Sequence, residues 1–472
     1  MYGSTHRIHF IGVGGAGMSG LAEVLLNMGY QVSGSDLKAT DVTDRLVTLG
    51  GRVFLGHAGS NVEGAQVVVY SSAVRPDNPE LVRARANGIP VIPRADMLAE
   101  LMRMKYGVAV GGSHGKTTTT SMVAAVLQRG GLDPTIVVGG RLKTLGTNAQ
   151  LGHGRFLVAE ADESDGSFLR LAPAVTVVTN IDREHMDHYK DLDDVRQAFV
   201  YFANRVPFYG VAVLCVDDDS VRAILPKVTK RSILYGTRPE AEIRGTGLEL
   251  LAHGSRFRVE AAGERIGAIE LQVPGRHNAL NALAAVAVGL ELEIAFEHIV
   301  ESLAGFRGVG RRFELRGEAA GVRVIDDYGH HPTEIAATLA AAKGSGAGRV
   351  LVVFQPHRYT RTASLREEFG SCFGDADRVW VMDVYAAGEA PIPGVTGATV
   401  VESAHAHGAS HVRYTPTWAE AVEAALNEAR AGDVLLTLGA GDVSKLGEIL
   451  LDGLRATKPP GVAVPASGRG GR

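Results

Sequence analysis

Three stretches of this chain combine residue types suited to phosphate chemistry. The first, Val108–Ser121, reads Val-Ala-Val-Gly-Gly-Ser-His-Gly-Lys-Thr-Thr-Thr-Thr-Ser. Its glycines let backbone N–H groups converge on an anion, Lys116 adds a point charge, and the Thr117 hydroxyl suits a magnesium ion. The phosphate-loop pattern is met imperfectly, since Val110 stands where its first glycine belongs. The second stretch, Gly12-Val13-Gly14-Gly15-Ala16-Gly17, fits G-x-G-x-x-G, with Asp36 near the ribose-reading position. Alone it suggests a nicotinamide dehydrogenase, yet the same geometry binds any diphosphate. The third is a pair of acidic clusters, Glu160-Ala161-Asp162-Glu163-Ser164-Asp165 and Asn180-Ile181-Asp182-Arg183-Glu184-His185-Met186-Asp187. Hard oxygen ligands suit magnesium held on nucleotide phosphates. Glu160, first after its strand, is the best-placed carboxylate, and the later acids read as solvated loop. His185 is the histidine to watch because it too follows a strand.

The elements that must hold these residues are legible from apolar periodicity. Val108–Val110 is a short buried strand, followed by a helix with Met122, Val123, Val126 and Leu127 on one face and Gly130 as its stop. Ile8, Phe10 and Ile11 form a strand before the first glycine turn, and Met18, Leu21, Leu25 and Met28 recur at helical spacing after it. Further strands are expected at Val67–Tyr70, before Ser71, and at Gly88–Ile92, with His57 in a loop before the former. Phe156–Ala159 and Val175–Thr179 end in the two acidic clusters, at the strand ends where α/β sheets bind ligands.

Pro274–Leu292 begins Gly-Arg-His-Asn and continues as an alanine-rich helix. Asn278 and Asn281 share one of its faces, as caps or as nucleotide contacts. Arg311 and Arg312 lie in a glycine-rich connector. A third α/β region has strands at Val322–Ile325, Arg349–Phe354, Val379–Met382 and Asp433–Leu438. The first ends in Asp326-Asp327-Tyr328-Gly329-His330-His331-Pro332, the second in Gln355-Pro356-His357-Arg358-Tyr359-Thr360-Arg361. The paired histidines lack a cysteine or third histidine at zinc-ligand spacing. From Lys458 the chain is rich in Pro, Gly and Ser and reads as a disordered tail.

At 472 residues the chain is long enough for about three domains. Its 45% hydrophobic and 21% charged content is that of an ordinary globular protein, and a formal charge of −4 gives no basic footprint for nucleic acid. Two separated cysteines suit a reducing cytosol. Neither a secretory signal nor a bilayer-length apolar run is visible, so a cytoplasmic protein without membrane attachment is expected.

In order along the chain, these motifs resemble the Mur ligases, over everything up to the tail. The matching stretches are Gly14–Met18, Ser71-Ser72-Ala73, Gly112–Thr119, Glu160–Asp165, His185–Asp187, His277–Asn281, Gly310–Phe313, Asp326–Pro332 and His357–Arg361. The resemblance implies an α/β protein of three domains. These are an N-terminal Rossmann-like UDP-sugar-binding domain (1–104), a central P-loop ATPase-like α/β domain (105–312) and a C-terminal Rossmann-like ligase domain (313–457), before the tail (458–472). Within the family it is nearest the alanine-adding member. That implies an ATP- and Mg2+-dependent ligase joining L-alanine to the lactoyl carboxylate of UDP-N-acetylmuramate through an acyl phosphate, acting as a monomer or weak homodimer.

Carried over residue by residue, Gly14, Gly15, Ala16, Gly17 and Met18 would hold the UDP diphosphate, with Asp36, His57 and Ser71 near the uridine. Gly112, Ser113, His114, Gly115, Lys116, Thr117 and Thr118 would hold the ATP phosphates. Thr117, Glu160 and His185 would ligate magnesium, and Asn278, Asn281, Arg312 and Asp327 would contact ATP. His331, His357, Arg358 and Arg361 would lie near the reacting groups, with Lys116, Glu160, His185, Arg312 and His331 as the catalytic set. Domain closure would complete the site. Sister ligases carry a carbamylated lysine where Phe199 aligns here, a departure that fits the alanine-adding member. The runner-up is the recycling ligase that joins a murein tripeptide to the same sugar nucleotide, although it typically shows Phe-Ala where Tyr328-Gly329 stand. A dehydrogenase, or a non-catalytic ATP-binding switch, leaves more of these motifs unexplained.

Overall fold

The computed structural model describes residues 6–71, 73–138, 149–251 and 253–457. The expected disordered tail, Ser72 of the Ser-Ser-Ala motif and the side chain of Ala16 lie outside that description. The chain divides into two compact units, Met1–Gly310 and Arg311–Arg472. The first unit carries two sheets and the second unit one.

The first sheet is wholly parallel. It comprises β1 (Arg7–Ile11), β2 (Gln31–Asp36), β3 (Arg52–Leu55), β4 (Val67–Tyr70) and β5 (Val91–Pro93), in the order β3-β2-β1-β4-β5. Chain order reverses beside β1, which opens a crevice at the carboxyl ends of β1 and β4. The helix Ala16–Asn27 leaves the glycine turn there and buries Met18, Leu21 and Leu25 against the sheet, as their spacing predicts. The fifth strand is Val91–Pro93 rather than Gly88–Ile92. Gly88, at φ +66°, is still part of the turn that precedes it.

The second sheet is built around β6 (Tyr106–Gly111). Its other strands are β7 (Thr135–Val137), β8 (Ala149–Gln150), β9 (Phe156–Glu160), β10 (Val175–Val178), β11 (Val211–Cys215), β12 (Ser232–Gly236), β13 (Ile243–Leu251), β14 (Gly254–Ala261) and β15 (Glu264–Leu271). The order is β15-β14-β13-β12-β11-β10-β6-β9-β7-β8, so β6 lies between the two strands that lead into the acidic clusters. The antiparallel run β13-β14-β15 was not expected from the sequence. The helices Lys116–Arg129 and Arg276–Glu291 cover one face, packing Val123, Val126 and Leu127 in one cluster with Leu283, Ala284 and Val288.

The second unit holds β16 (Glu314–Ala319), β17 (Val322–Asp327), β18 (Val350–Phe354), β19 (Arg378–Val381), β20 (Val412–Tyr414) and β21 (Val434–Leu438). Their order is β16-β17-β21-β18-β19-β20, parallel except at β16. No helix among the described residues is long and apolar enough to cross a membrane.

Candidate active site

The phosphate-loop stretch folds as strand, turn and helix. β6 ends at Gly111, Gly115 caps the helix Lys116–Arg129 at φ +80°, and the first-turn N–H groups of that helix have no intrahelical acceptor. Glycine is required twice in this turn. At Gly112, φ +134°, a Cβ would meet Thr179 Oγ1 at 2.0 Å; at Gly115 it would meet Asn281 Oδ1 at 2.8 Å. The turn is clamped to the end of β10. Asn180 accepts from the Ser113 N–H through its carbonyl (3.1 Å) and from the His114 N–H through Oδ1 (2.8 Å). Thr179 Oγ1 donates to the His114 carbonyl at 2.7 Å. His114 Nε2 lies 2.8 Å from Asp182.

Lys116 curls back over the turn. Its ammonium donates to the carbonyls of Gly112 (2.6 Å) and Ser113 (3.1 Å) and to Glu163 Oε1 (2.8 Å). Burial opposes its charge, but Glu163, with Asp162 and Glu184, outweighs that and raises the lysine pKa. Glu163 is 1% exposed, and its Oε2 is buried without a hydrogen-bond partner. Of the acids after Glu160, Glu163 is therefore no solvated loop residue, whereas Asp165 is exposed: the chain after β9 turns Glu163 back onto Lys116. Burial likewise opposes ionisation of Asp162, but Lys116 and Arg94 hold its pKa below the ordinary value. Glu160 itself ends β9 beside Val110 of β6, half-buried.

His185 sits at φ +58°, a costly backbone for a non-glycine residue and one that clusters at functional sites. Its Nε2 is 3.2 Å from Glu184 and 3.6 Å from Glu163. Burial lowers its pKa, but the two carboxylates prevail and the net shift is upward. Thr117, half-exposed, is the second residue of the helix Lys116–Arg129. Hard carboxylate oxygens, one of them buried and unpartnered, together with a hydroxyl and an imidazole, form a donor set that suits a divalent cation. Phe199 is fully buried against Phe168 and Phe202, so its position in this chain is apolar core.

Asn281 is brought to the loop. Its Oδ1 accepts from buried Thr119 Oγ1 at 3.0 Å, and its Nδ2 donates to Asn278 Oδ1. Asn278 donates to the Pro274 carbonyl at 2.7 Å, while Gly275 is the actual N-cap.

At the first sheet, the Gly14 N–H donates to Asp36 Oδ2 at 2.9 Å, tying the glycine turn to the end of β2. Met18 is buried in the core and its N–H is spent on the Gly15 carbonyl. Gly15 caps the helix Ala16–Asn27. A Cβ on Gly17 would meet the Arg94 guanidinium at 3.2 Å, and that guanidinium reaches Asp162 at 3.4 Å. Arg94 thus links the glycine turn to the acidic cluster. Arg94 is the first residue of the helix Arg94–Arg103. Ser71 follows β4, and its carbonyl accepts from the Val74 N–H.

In the second unit, Arg312 lies 3.5 Å from Glu334 and packs over the Tyr328 ring, while Arg311 is taken up by Asp326 and the Gly439 carbonyl. Asp327 accepts from the N–H groups of Phe313 (2.6 Å) and Gly329 (2.8 Å), and burial raises its pKa. His331 caps the helix Pro332–Gly344 through its side chain. His357 stacks on Tyr385, and burial, with His330, Arg361 and Arg358 nearby, lowers its pKa to about 3. Arg358 adopts φ +72° and pairs with Glu389 at 3.0 Å, and Arg361 Nη1 lies 3.4 Å from His357 Nδ1.

A parallel sheet with a glycine turn, followed by a mixed sheet whose strand–glycine turn–helix stands over an acidic floor, defines the class, and family models agree. Residues 7–106 match the Mur ligase family catalytic domain, 110–289 the Mur ligase middle domain, and 311–441 the Mur ligase glutamate ligase domain. The chain belongs to the Mur ligase family. Among its relatives, the UDP-N-acetylmuramate–L-alanine ligase of Geobacter sp. (strain M21) is 57% identical, over 97% of this chain and 100% of the relative. The protein of the same name from Geotalea daltonii is 55% identical, over 96% and 99%. Among solved structures, UDP-N-acetylmuramate-alanine ligase from Thermotoga maritima matches with a TM-score of 0.79 at 30% identity, covering 96% of this chain and 100% of that one. A murein peptide ligase from Psychrobacter arcticus shares the fold, with a TM-score of 0.71 at 22% identity.

Proposed function

We propose that this chain is an ATP-dependent ligase that joins L-alanine to the lactoyl carboxylate of UDP-N-acetylmuramate, for peptidoglycan precursor synthesis in the cytoplasm. Identities of 55–57% to relatives of that name, over nearly the full chain, support this substrate pair over the tripeptide-adding alternative. The observation that carries the chemistry is the Lys116 ammonium, held on a glycine turn at a helix N-terminus and facing buried carboxylates. We assign domains 1–104, 105–312 and 313–457 to UDP-sugar binding, ATP binding and ligation.

A carboxylate is a poor acyl donor, so the reaction must first activate it. The lactoyl carboxylate attacks the γ-phosphorus of ATP to give an acyl phosphate and ADP. The amine of alanine then attacks the acyl carbon, and phosphate leaves. Lys116 and the first-turn N–H groups neutralise charge on the phosphoryl oxygens, and positioning supplies most of the rest. Magnesium held by Thr117, Glu160 and His185 would supply Lewis-acid stabilisation of that same charge. Glu163 keeps Lys116 over the loop and holds the His185 ring in place. Asn281 buttresses the turn from the neighbouring helix. From the second unit, Arg312, Asp327, His331, His357, Arg358 and Arg361 are assigned to ATP and to the reacting carboxylate and amine.

The test is phosphate release with ATP, magnesium and UDP-N-acetylmuramate against a panel of amino acids and the murein tripeptide. Release that depends on L-alanine is expected. Release with the tripeptide but not with alanine would overturn the assignment.

A further inference from the structure

Behind the rim of the first sheet lies a buried polar cluster that the phosphate chemistry does not use. At its centre is Glu80, on the helix Pro79–Ala86 and fully buried. Glu80 Oε2 accepts from Ser35 Oγ at 2.6 Å. Oε1 accepts from Asn61 Nδ2 at 2.6 Å and from the Ala58 N–H at 3.4 Å. His9, also fully buried, places Nε2 3.6 Å from Oε2 and its Nδ1 against Ser33 Oγ. Ringed by donors, Glu80 is a carboxylate that accepts and never donates.

That fixes the protons further out. The Ser35 hydroxyl has one proton and spends it on Glu80, so toward His57 it can only accept. Its Oγ lies 3.0 Å from His57 Nδ1, and that contact is a hydrogen bond only when Nδ1 carries the proton. A neutral His57 then carries its lone pair on Nε2, the nitrogen with no hydrogen-bond partner among the described residues. The ring is the one member of this Glu80–Ser35–His57 chain that reaches the surface, 19% exposed.

His57 follows β3, two strands from the glycine turn after β1, with Asp36 at the end of β2 between them. At strand spacing that is about 10 Å, roughly the reach from a diphosphate across a ribose to its base.

We propose that Glu80 and Ser35 are positioning residues that hold His57 as the Nδ1–H tautomer. His57 thereby offers a lone pair to the N3–H of uracil and rejects cytosine, whose N3 is itself a lone pair. This inference rests on the reading of the first sheet as the UDP-sugar site. Glu80→Gln reverses the relay. Its amide oxygen stays with the Asn61 and Ala58 donors, its NH2 faces Ser35, and the serine hydroxyl turns to donate to Nδ1. Nε2 then becomes a donor.

The experiment combines 15N NMR of His57 in the full chain with calorimetric binding of UDP, CDP and N3-methyl-UDP. The wild type is expected to show an unprotonated Nε2 and to bind UDP about tenfold more tightly than either analogue. In Glu80→Gln the protonated nitrogen switches to Nε2 and the preference for UDP over CDP falls about tenfold. Ser35→Ala removes the hydroxyl link and leaves only the 3.5 Å approach of Glu80 Oε2 to His57 Nδ1; it weakens the same preference and carries the test if Glu80→Gln does not fold. A wild-type Nε2–H tautomer, or unchanged discrimination in Ser35→Ala, overturns the proposal. Failure of the wild type to bind UDP at all would overturn the UDP-sugar reading as well, whereas UDP binding without base discrimination would overturn only the relay.

Discussion

Replacing Lys116 by methionine separates its electrostatic role in the fold from its role in the reaction. The ammonium lies 2.8 Å from Glu163 Oε1, and Glu163 is 1% exposed. At an effective dielectric constant near 20 the attraction is about 6 kcal/mol, against which both groups are desolvated. Removing one partner alone leaves a buried carboxylate unpaired, which costs about 3–5 kcal/mol. His185, 3.6 Å from the same oxygen, is a second partner and places the cost near the lower end, about 3 kcal/mol. That corresponds to a fall of about 6 °C in the first thermal unfolding transition. The double variant Lys116→Met/Glu163→Gln removes both charges and should melt within about 2 °C of the wild type. Neither variant should release phosphate. Thermal melts by circular dichroism, paired with the phosphate-release assay, decide the matter. If the double variant is no more stable than Lys116→Met, Glu163 is not the partner that matters. If Lys116→Met turns over normally, the phosphate site lies elsewhere.

Gly112→Ala should destabilise the first unit by about 2 kcal/mol or more and abolish turnover. Its Cβ would lie 2.0 Å from a Thr179 hydroxyl already committed to His114, and denaturant unfolding followed by activity assay checks both effects. For Glu80, burial pushes its pKa up, but the nearby His9 ring and the hydrogen bonds from Ser35 and Asn61 win and bring it to about 2 from 4.5. The folded carboxyl is the stronger acid, so about 3 kcal/mol of stability is present above pH 4.5 and is lost as pH falls toward 2. Glu80→Gln should flatten that acid limb in urea titrations. His357 acts with the same sign in a higher pH window: the unfolded histidine binds a proton near pH 6.5 that the folded one refuses until about 3. Stability should therefore fall by up to about 1.4 kcal/mol per pH unit through that window as pH is lowered, and His357→Gln should remove this slope from urea midpoints.

Much of the site was legible because phosphate recognition is local chemistry. Gly112–Thr117 had to be a turn between strand and helix, since only glycines accept its backbone angles and only a helix start leaves N–H groups for an anion. The strand preceding each acidic cluster could likewise be read, because buried parallel strands are continuous apolar runs. Asn278 and Asn281 were rightly placed on one helix face by their spacing alone.

What stayed hidden depended on how distant segments pack. Glu160 at the end of β9 and Glu163 just after it belong to one acidic stretch, and nothing local says that Glu163 is the one folded back onto Lys116. Arg94 reads as the start of a helix until the structure sets its guanidinium between Gly17 and Asp162. Glu80 looks like an ordinary first-turn helix acid, yet packing against β1, β2 and the loop after β3 makes it a buried carboxylate that controls a histidine 23 residues earlier in the chain. The antiparallel run β13-β14-β15 escaped notice because its half-exposed strands lack a continuous apolar signal. Sequence alone determined which residues could do this chemistry, since backbone angles and apolar period are properties of neighbours along the chain. Only the tertiary structure decided which of them share a charge, because burial and proximity are properties of neighbours in space.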